Sequence, residues 1–99
     1  MCLKKTHIYF IGIGGVGMSG IAKVLIELGY KISGSDIMTS NNTKLLKTLG
    51  ADIYIGHSEK NMNDVSLVVI SSAISNSNIE LKFAVSKKIP VISRSEMLL

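Results

Sequence analysis

The segment Gly12-Ile13-Gly14-Gly15-Val16-Gly17 carries the spacing Gly-x-Gly-x-x-Gly. Between a strand and a helix, that spacing serves a diphosphate. The first glycine permits a tight turn, the second lets the backbone approach the anion, and the third allows helix and strand to pack closely. Unpaired N–H groups at the helix start would then point at the phosphates. A tight turn with no ligand uses the same residues, so the spacing alone leaves both readings open.

Six more residues, in four places, could join such a site. Asp36 stands at the end of a second apolar segment, where a carboxylate can accept hydrogen bonds from ribose hydroxyls; it can equally be a solvated turn residue. His57 follows a third segment, where a lone histidine is either functional or structural. Ser71-Ser72-Ala73 follow a fourth, either facing the glycine loop or capping backbone groups. Arg94, the sole arginine, ends a fifth, free to meet phosphate oxygens or to pair with Glu96 or Glu80.

Absences narrow the chemistry. No Gly-Lys dipeptide occurs, so there is no P-loop for ATP phosphates. No nucleophile–base pair and no carboxylate–histidine cluster with metal-ligand spacing stands out, so neither catalytic nor metal-binding residues are assigned. These residues make a binding surface without reaction machinery.

The elements that must hold these residues alternate along the chain. His7 to Ile11 reads as a strand buried on both faces. Met18, Ile21, Ala22, Leu25 and Leu28 then recur at helical spacing, with Gly29 as a stop. Tyr30 to Ser33 forms a second strand ending near Asp36. The polar run Thr39 to Thr43 leads into a helix carrying Leu45, Leu46 and Leu49 and closed by Gly50. Asp52 to Ile55 is the third strand, and Val65 to Ile70 the fourth. Ser77-Asn78-Ile79-Glu80 has capping-box spacing and opens a helix to about Lys88, where Lys87 and Lys88 suit the helix dipole. Pro90 to Ser93 is the fifth strand, and Arg94 to Leu99 begins another helix.

This alternation implies an α/β fold of Rossmann-like type. A five-stranded parallel sheet in the order 3-2-1-4-5 has helices on both faces. That order puts the switch point between strands one and four, so the glycine loop and Ser71-Ser72 face each other across one crevice.

Bulk properties agree. Ninety-nine residues, 46% hydrophobic and 18% charged, make one folded domain. The net charge of +4 comes from scattered lysines, and the chain has no nucleic-acid-binding module. No nucleic-acid partner is expected; a small anion suits such a field. Cys2 is the single cysteine, so no internal disulfide forms and a cytoplasmic setting is the default. Lys4-Lys5 before an apolar run imitates a secretory signal, but six glycines between residues 12 and 29, with Lys23 and Glu27, argue against both a signal and a membrane span.

From His7 through Gly12-Ile13-Gly14-Gly15-Val16-Gly17-Met18-Ser19-Gly20 to Ala22, the chain resembles the N-terminal domain of the Mur ligase family. The likeness continues through Gly34-Ser35-Asp36, Gly56-His57, Ser71-Ser72-Ala73-Ile74, Ile89-Pro90-Val91-Ile92 and Arg94-Ser95-Glu96-Met97-Leu98. It is nearest to the member that adds L-alanine to UDP-N-acetylmuramic acid in peptidoglycan precursor synthesis. The resemblance implies that residues 1–99 bind UDP-N-acetylmuramic acid. ATP and magnesium would belong to a central domain, with a C-terminal domain beyond it, and both lie outside these residues. The domain alone would be inactive.

Carried over by position, Gly12, Ile13, Gly14, Gly15, Val16 and Gly17 would face the diphosphate, with Met18 and Ser19 beside it at the helix start. Asp36 would contact the uridine moiety. His57, Ser71, Ser72, Ala73 and Ile74 would line the uridine-diphosphate crevice, with Arg94 at its edge. The main alternative is the dinucleotide-binding half of an NAD-dependent oxidoreductase, since NAD shares ribose and diphosphate with UDP. A nucleotide-sensing regulatory module is a third possibility.

Overall fold

The computed structural model describes residues 6–97. Cys2, Lys4, Lys5 and the Leu98-Leu99 end of the expected last helix lie outside the described residues. The elements run β1 (His7–Ile11), α1 (Met18–Glu27), β2 (Lys31–Asp36), α2 (Asn41–Thr48), β3 (Asp52–Ile55), a 3₁₀ turn (Glu59–Asn61), β4 (Leu67–Ile70), α3 (Ile79–Ser86), β5 (Val91–Ser93) and α4 (Arg94–Met97). All four strand pairs are parallel and the order is β3-β2-β1-β4-β5, as the alternation predicts.

β1 lies at the centre and all five of its residues are buried. Side chains alternate across a strand, so β1 feeds two cores. Ile8 and Phe10 pack with Met18, Ala22, Ile32 and Leu46, on the face carrying α1 and α2. Tyr9 and Ile11 pack with Met62, Val68, Leu81 and Ala84, on the face carrying α3. β2 leaves its α3-side positions polar, and Ser33 and Ser35 there are buried.

The helix ends follow local chemistry. The Ser40 side chain accepts from Thr43 N while Thr43 Oγ1 accepts from Ser40 N, a reciprocal cap on α2 worth about 1 kcal/mol. α1 closes with Gly29 N on Ile26 O and Tyr30 N on Leu25 O, and Gly29 has φ 97°, the left-handed stop that glycine favours. α3 closes in the same way, but Lys88 occupies the left-handed position at φ 60°.

Several boundaries differ from expectation. β2 extends through Asp36, because Ser33 to Asp36 pair with β3. β4 begins at Leu67, and Val65 packs as a loop residue. Pro90 precedes β5, but its carbonyl still accepts from Val68 N. The capping box at Ser77–Glu80 does not form. Asn78 is the cap, accepting from Glu80 N and Leu81 N, and Glu80 turns inward.

Candidate functional site

β1 pairs with β2 on one side and β4 on the other, so the chain departs from the sheet in opposite directions at their C-terminal ends. A crevice opens there, as it does at switch points generally. It encloses about 330 Å³ and is lined by Gly12, Gly15, Asp36, Ile37, His57, Ser71, Ala73, Ile74, Ser75 and Asn78. Seven of the residues singled out by sequence thus share one cavity. Ile74 packs close to Gly12: a Cβ on Gly12 would stand 3.3 Å from Ile74 Cδ1.

The glycine loop is shaped by its own hydrogen bonds. Gly12 N and Ile13 N both donate to Ser35 O, at 2.8 and 2.9 Å. Gly15 N donates to Gly12 O, and Met18 N and Ser19 N donate to Gly15 O. Gly14 N donates to Asp36 Oδ2 at 2.8 Å. Val16 N and Gly17 N bond to no partner among the described residues. They lie at the start of α1, where Gly17 is the cap, and are the donors open to an anion.

Gly14 approaches protein rather than open space. A Cβ there would meet Asp36 Oδ2 and Thr43 Cγ2 at 2.9 Å and Ser40 Oγ at 3.1 Å. Asn42 Nδ2 donates to Gly14 O at 3.1 Å, which ties the loop to α2. Gly17 likewise lies under the Arg94 side chain, whose Cδ is 2.9 Å from the position of an added Cβ.

The remaining positions divide. The Ile13 and Met18 side chains are fully buried in the core, so only their backbone belongs to the loop. Val16 is 96% exposed at the loop tip, and Ser19 is half-buried beside it. Ser71 Oγ accepts from Ala73 N at 3.3 Å, a local turn, while also lining the crevice. Ser72 faces a second hollow of about 210 Å³ with Ser71, Ser93, Arg94 and Ser95. Arg94 forms no ion pair with Glu80 or Glu96. Glu96 instead accepts from Ser93 N at 2.8 Å, which holds its carboxyl below the ordinary value. The guanidinium therefore stands between the post-β4 serines and the start of α1.

Each Asp36 oxygen accepts one backbone hydrogen bond, Oδ2 from Gly14 N and Oδ1 from Ile37 N, both at 2.8 Å, which leaves further acceptor sites on the carboxylate. His57 turns Nδ1 inward, 2.8 Å from Ser35 Oγ and 3.1 Å from Glu80 Oε1. Sequence reasoning missed Ser35 and Glu80 as parts of this site. The alternation of β2 placed Ser35 on the face opposite Gly34, but nothing local showed that Glu80 would turn inward from α3 to meet it.

The family model described as "Mur ligase family, catalytic domain" matches residues 7–99. The chain belongs to the Mur ligase family. It is 58% identical over 100 residues to a UDP-N-acetylmuramate--L-alanine ligase of Rickettsia felis, covering 96% of this chain and 21% of that protein. The Aquifex aeolicus ligase of the same name is 58% identical over 96 residues, covering 97% of this chain and 21% of the relative. Among solved structures, a UDP-N-acetylmuramate-alanine ligase from Thermotoga maritima superposes with a TM-score of 0.89 at 34% identity, over 93% of this chain and 21% of that one. The chain therefore spans about a fifth of the length of these Mur ligases. The dinucleotide-oxidoreductase alternative is not favoured by these relatives.

Proposed function

We propose that this chain is the UDP-N-acetylmuramic acid-binding domain of the ligase that joins L-alanine to that sugar nucleotide. The observation that carries the reading is the crevice, where glycine loop, Asp36, His57 and the post-β4 segment converge. Identity of 58% to two ligases of that name supports the choice of ligand.

In this reading Val16 N–H and Gly17 N–H bind the diphosphate and Arg94 neutralises its outer charge. Asp36 and His57 meet the uridine, and Ser71 to Ile74 form the facing wall. The residues present do not fit ATP and magnesium. The sequence has no Gly-Lys dipeptide, and among the described residues no three His, Cys, Asp or Glu side chains cluster to hold a metal. In this reading the phosphoryl and amide-forming steps are assigned to the rest of the ligase, and the chain alone is expected to bind without catalysis. No described helix is long and apolar enough to cross a membrane. We also place the ligase in the cytoplasm, with neither membrane nor nucleic acid as its partner.

The test is an amide-shift titration of the labelled chain with UDP-N-acetylmuramic acid, UDP, NAD and ATP. The expected result is movement at Val16, Gly17, Asp36 and residues 71–74 with the UDP compounds only. Saturable binding of NAD without response to UDP would overturn the assignment.

A further inference from the structure

Glu80 is fully buried, and four donors and the His57 ring converge on its carboxylate. Tyr9 Oη, Ser58 N and Asn61 Nδ2 reach Oε2 at 2.5, 3.1 and 3.2 Å. Ser35 Oγ donates to Oε1, and His57 Nδ1 lies 3.1 Å from the same oxygen. Burying a carboxylate is costly unless its acceptor sites are filled, and here the filling comes from β1, β2 and the segment after β3. A cap on α3 needs none of this, because Asn78 already caps that helix.

The network has a direction. A serine hydroxyl carries one proton, and that of Ser35 is directed at Glu80. Ser35 Oγ is therefore an acceptor towards His57 Nδ1, 2.8 Å away. Nδ1 faces two acceptors, so it holds the proton. A neutral imidazole protonated at Nδ1 has its lone pair at Nε2. Nε2 bonds to no described residue, and the ring borders the crevice.

We propose that Glu80 is a positioning residue: with Ser35 it holds the Nδ1–H of His57, so that Nε2 meets the ligand as a hydrogen-bond acceptor. The ligand group at His57 is then a donor, either a ribose O–H or the imide N–H of uracil, and not a phosphate oxygen. The ligand half of this statement rests on the UDP-sugar reading above. The role of Glu80 rests on the free protein alone. The arrangement follows a general pattern, in which the partner of one ring nitrogen sets what the other can do.

The first measurement is the tautomer of His57 in the unliganded chain, read from long-range proton–nitrogen NMR correlations at alkaline pH. The Nδ1–H form is expected; the Nε2–H form would overturn the proposal outright. Glu80→Gln should move the ring towards Nε2–H and weaken UDP binding about tenfold, the scale of one misdirected hydrogen bond. A Glu80→Gln chain that is less stable but keeps both tautomer and affinity would make Glu80 merely structural and sink the idea.

Ligand analogues identify the donor without relying on that variant folding. Of 2′-deoxy-UDP, 3′-deoxy-UDP and N3-methyl-UDP, one should bind about tenfold more weakly than UDP to the wild-type chain and no more weakly than UDP to His57→Ala. Indifference of all three to His57→Ala, with loss of inorganic pyrophosphate binding instead, would show that His57 reads phosphate. Failure of every UDP compound to bind would overturn the UDP-sugar reading and the ligand half, while the free-chain tautomer would still decide the role of Glu80.

Discussion

The carboxylate of Asp36 accepts the backbone N–H of Gly14 at 2.8 Å, joining the end of β2 to the centre of the glycine loop. A hydrogen bond to a charged acceptor contributes roughly 1.5–3 kcal/mol, enough to hold the loop in one shape before ligand arrives. Asp36→Ala should therefore loosen the loop as well as remove the uridine contact proposed above. The expected outcome is faster hydrogen exchange at the Gly14 amide and UDP affinity reduced about tenfold or more. Unchanged exchange at Gly14 would show that the bond does not order the loop.

Two glycines should respond in opposite directions to alanine. A Cβ on Gly34 would stand 2.5 Å from Phe10 O and 2.8 Å from Ile13 Cβ. Neither neighbour is the free end of a flexible chain, since Ile13 is fully buried. Gly34→Ala should cost about 3 kcal/mol or more, at the severe end of overpacking. A Cβ on Gly20 in α1 would have nothing within 4 Å, so Gly20→Ala should stabilise by about 0.5–1 kcal/mol through helix propensity. Urea denaturation of the two variants checks both signs.

Lys88 holds a left-handed backbone at φ 60° in the turn that ends α3, where Ile89 N reaches Ala84 O at 2.9 Å. The equivalent positions after α1 and α2 are Gly29 and Gly50. A left-handed non-glycine residue costs roughly 1–2 kcal/mol, part of which glycine returns as extra freedom in the unfolded chain. Lys88→Gly should stabilise by about 0.5–1 kcal/mol in thermal or urea unfolding; a loss of stability would contradict the strain assigned to that turn.

His7 makes the stability of the domain depend on pH. Its Nε2 is 2.5 Å from Ser33 Oγ, and its buried Nδ1 has no partner among the described residues. Burial, reinforced by the charge of Lys31, lowers its pKa from the ordinary 6.5, against weaker opposing effects of the Asp64 and Asn63 backbone and of Asp52. The unfolded chain then binds a proton that the folded chain refuses. This contribution is complete above the unfolded value and is lost as pH falls below about 6.5 towards the depressed folded value. The urea midpoint should fall between about pH 7.5 and 5.5, and His7→Gln should flatten that slope. Parallel slopes in the two proteins would remove His7 as the cause.

Much of the architecture was legible because it is written in short windows. The alternating strands and helices, the stops at Gly29 and Gly50, and the glycine loop each depend on residues within a few positions of one another, where periodicity and turn chemistry act directly. The strand order followed from that alternation, and with it the crevice that brings Gly12, Asp36, His57 and Ser71 together. What sequence could not show was which partner each polar group would choose. Glu80 sits at a capping-box spacing, yet its carboxylate meets Tyr9, 71 residues away. Asp36 reads as a free ribose acceptor, yet it is bonded to Gly14. Those choices arise only when packing has closed off water and each buried donor must find an acceptor nearby. The sequence by itself determined the fold and the neighbourhood of the site. The tertiary structure decided which of its atoms remain free to meet a ligand.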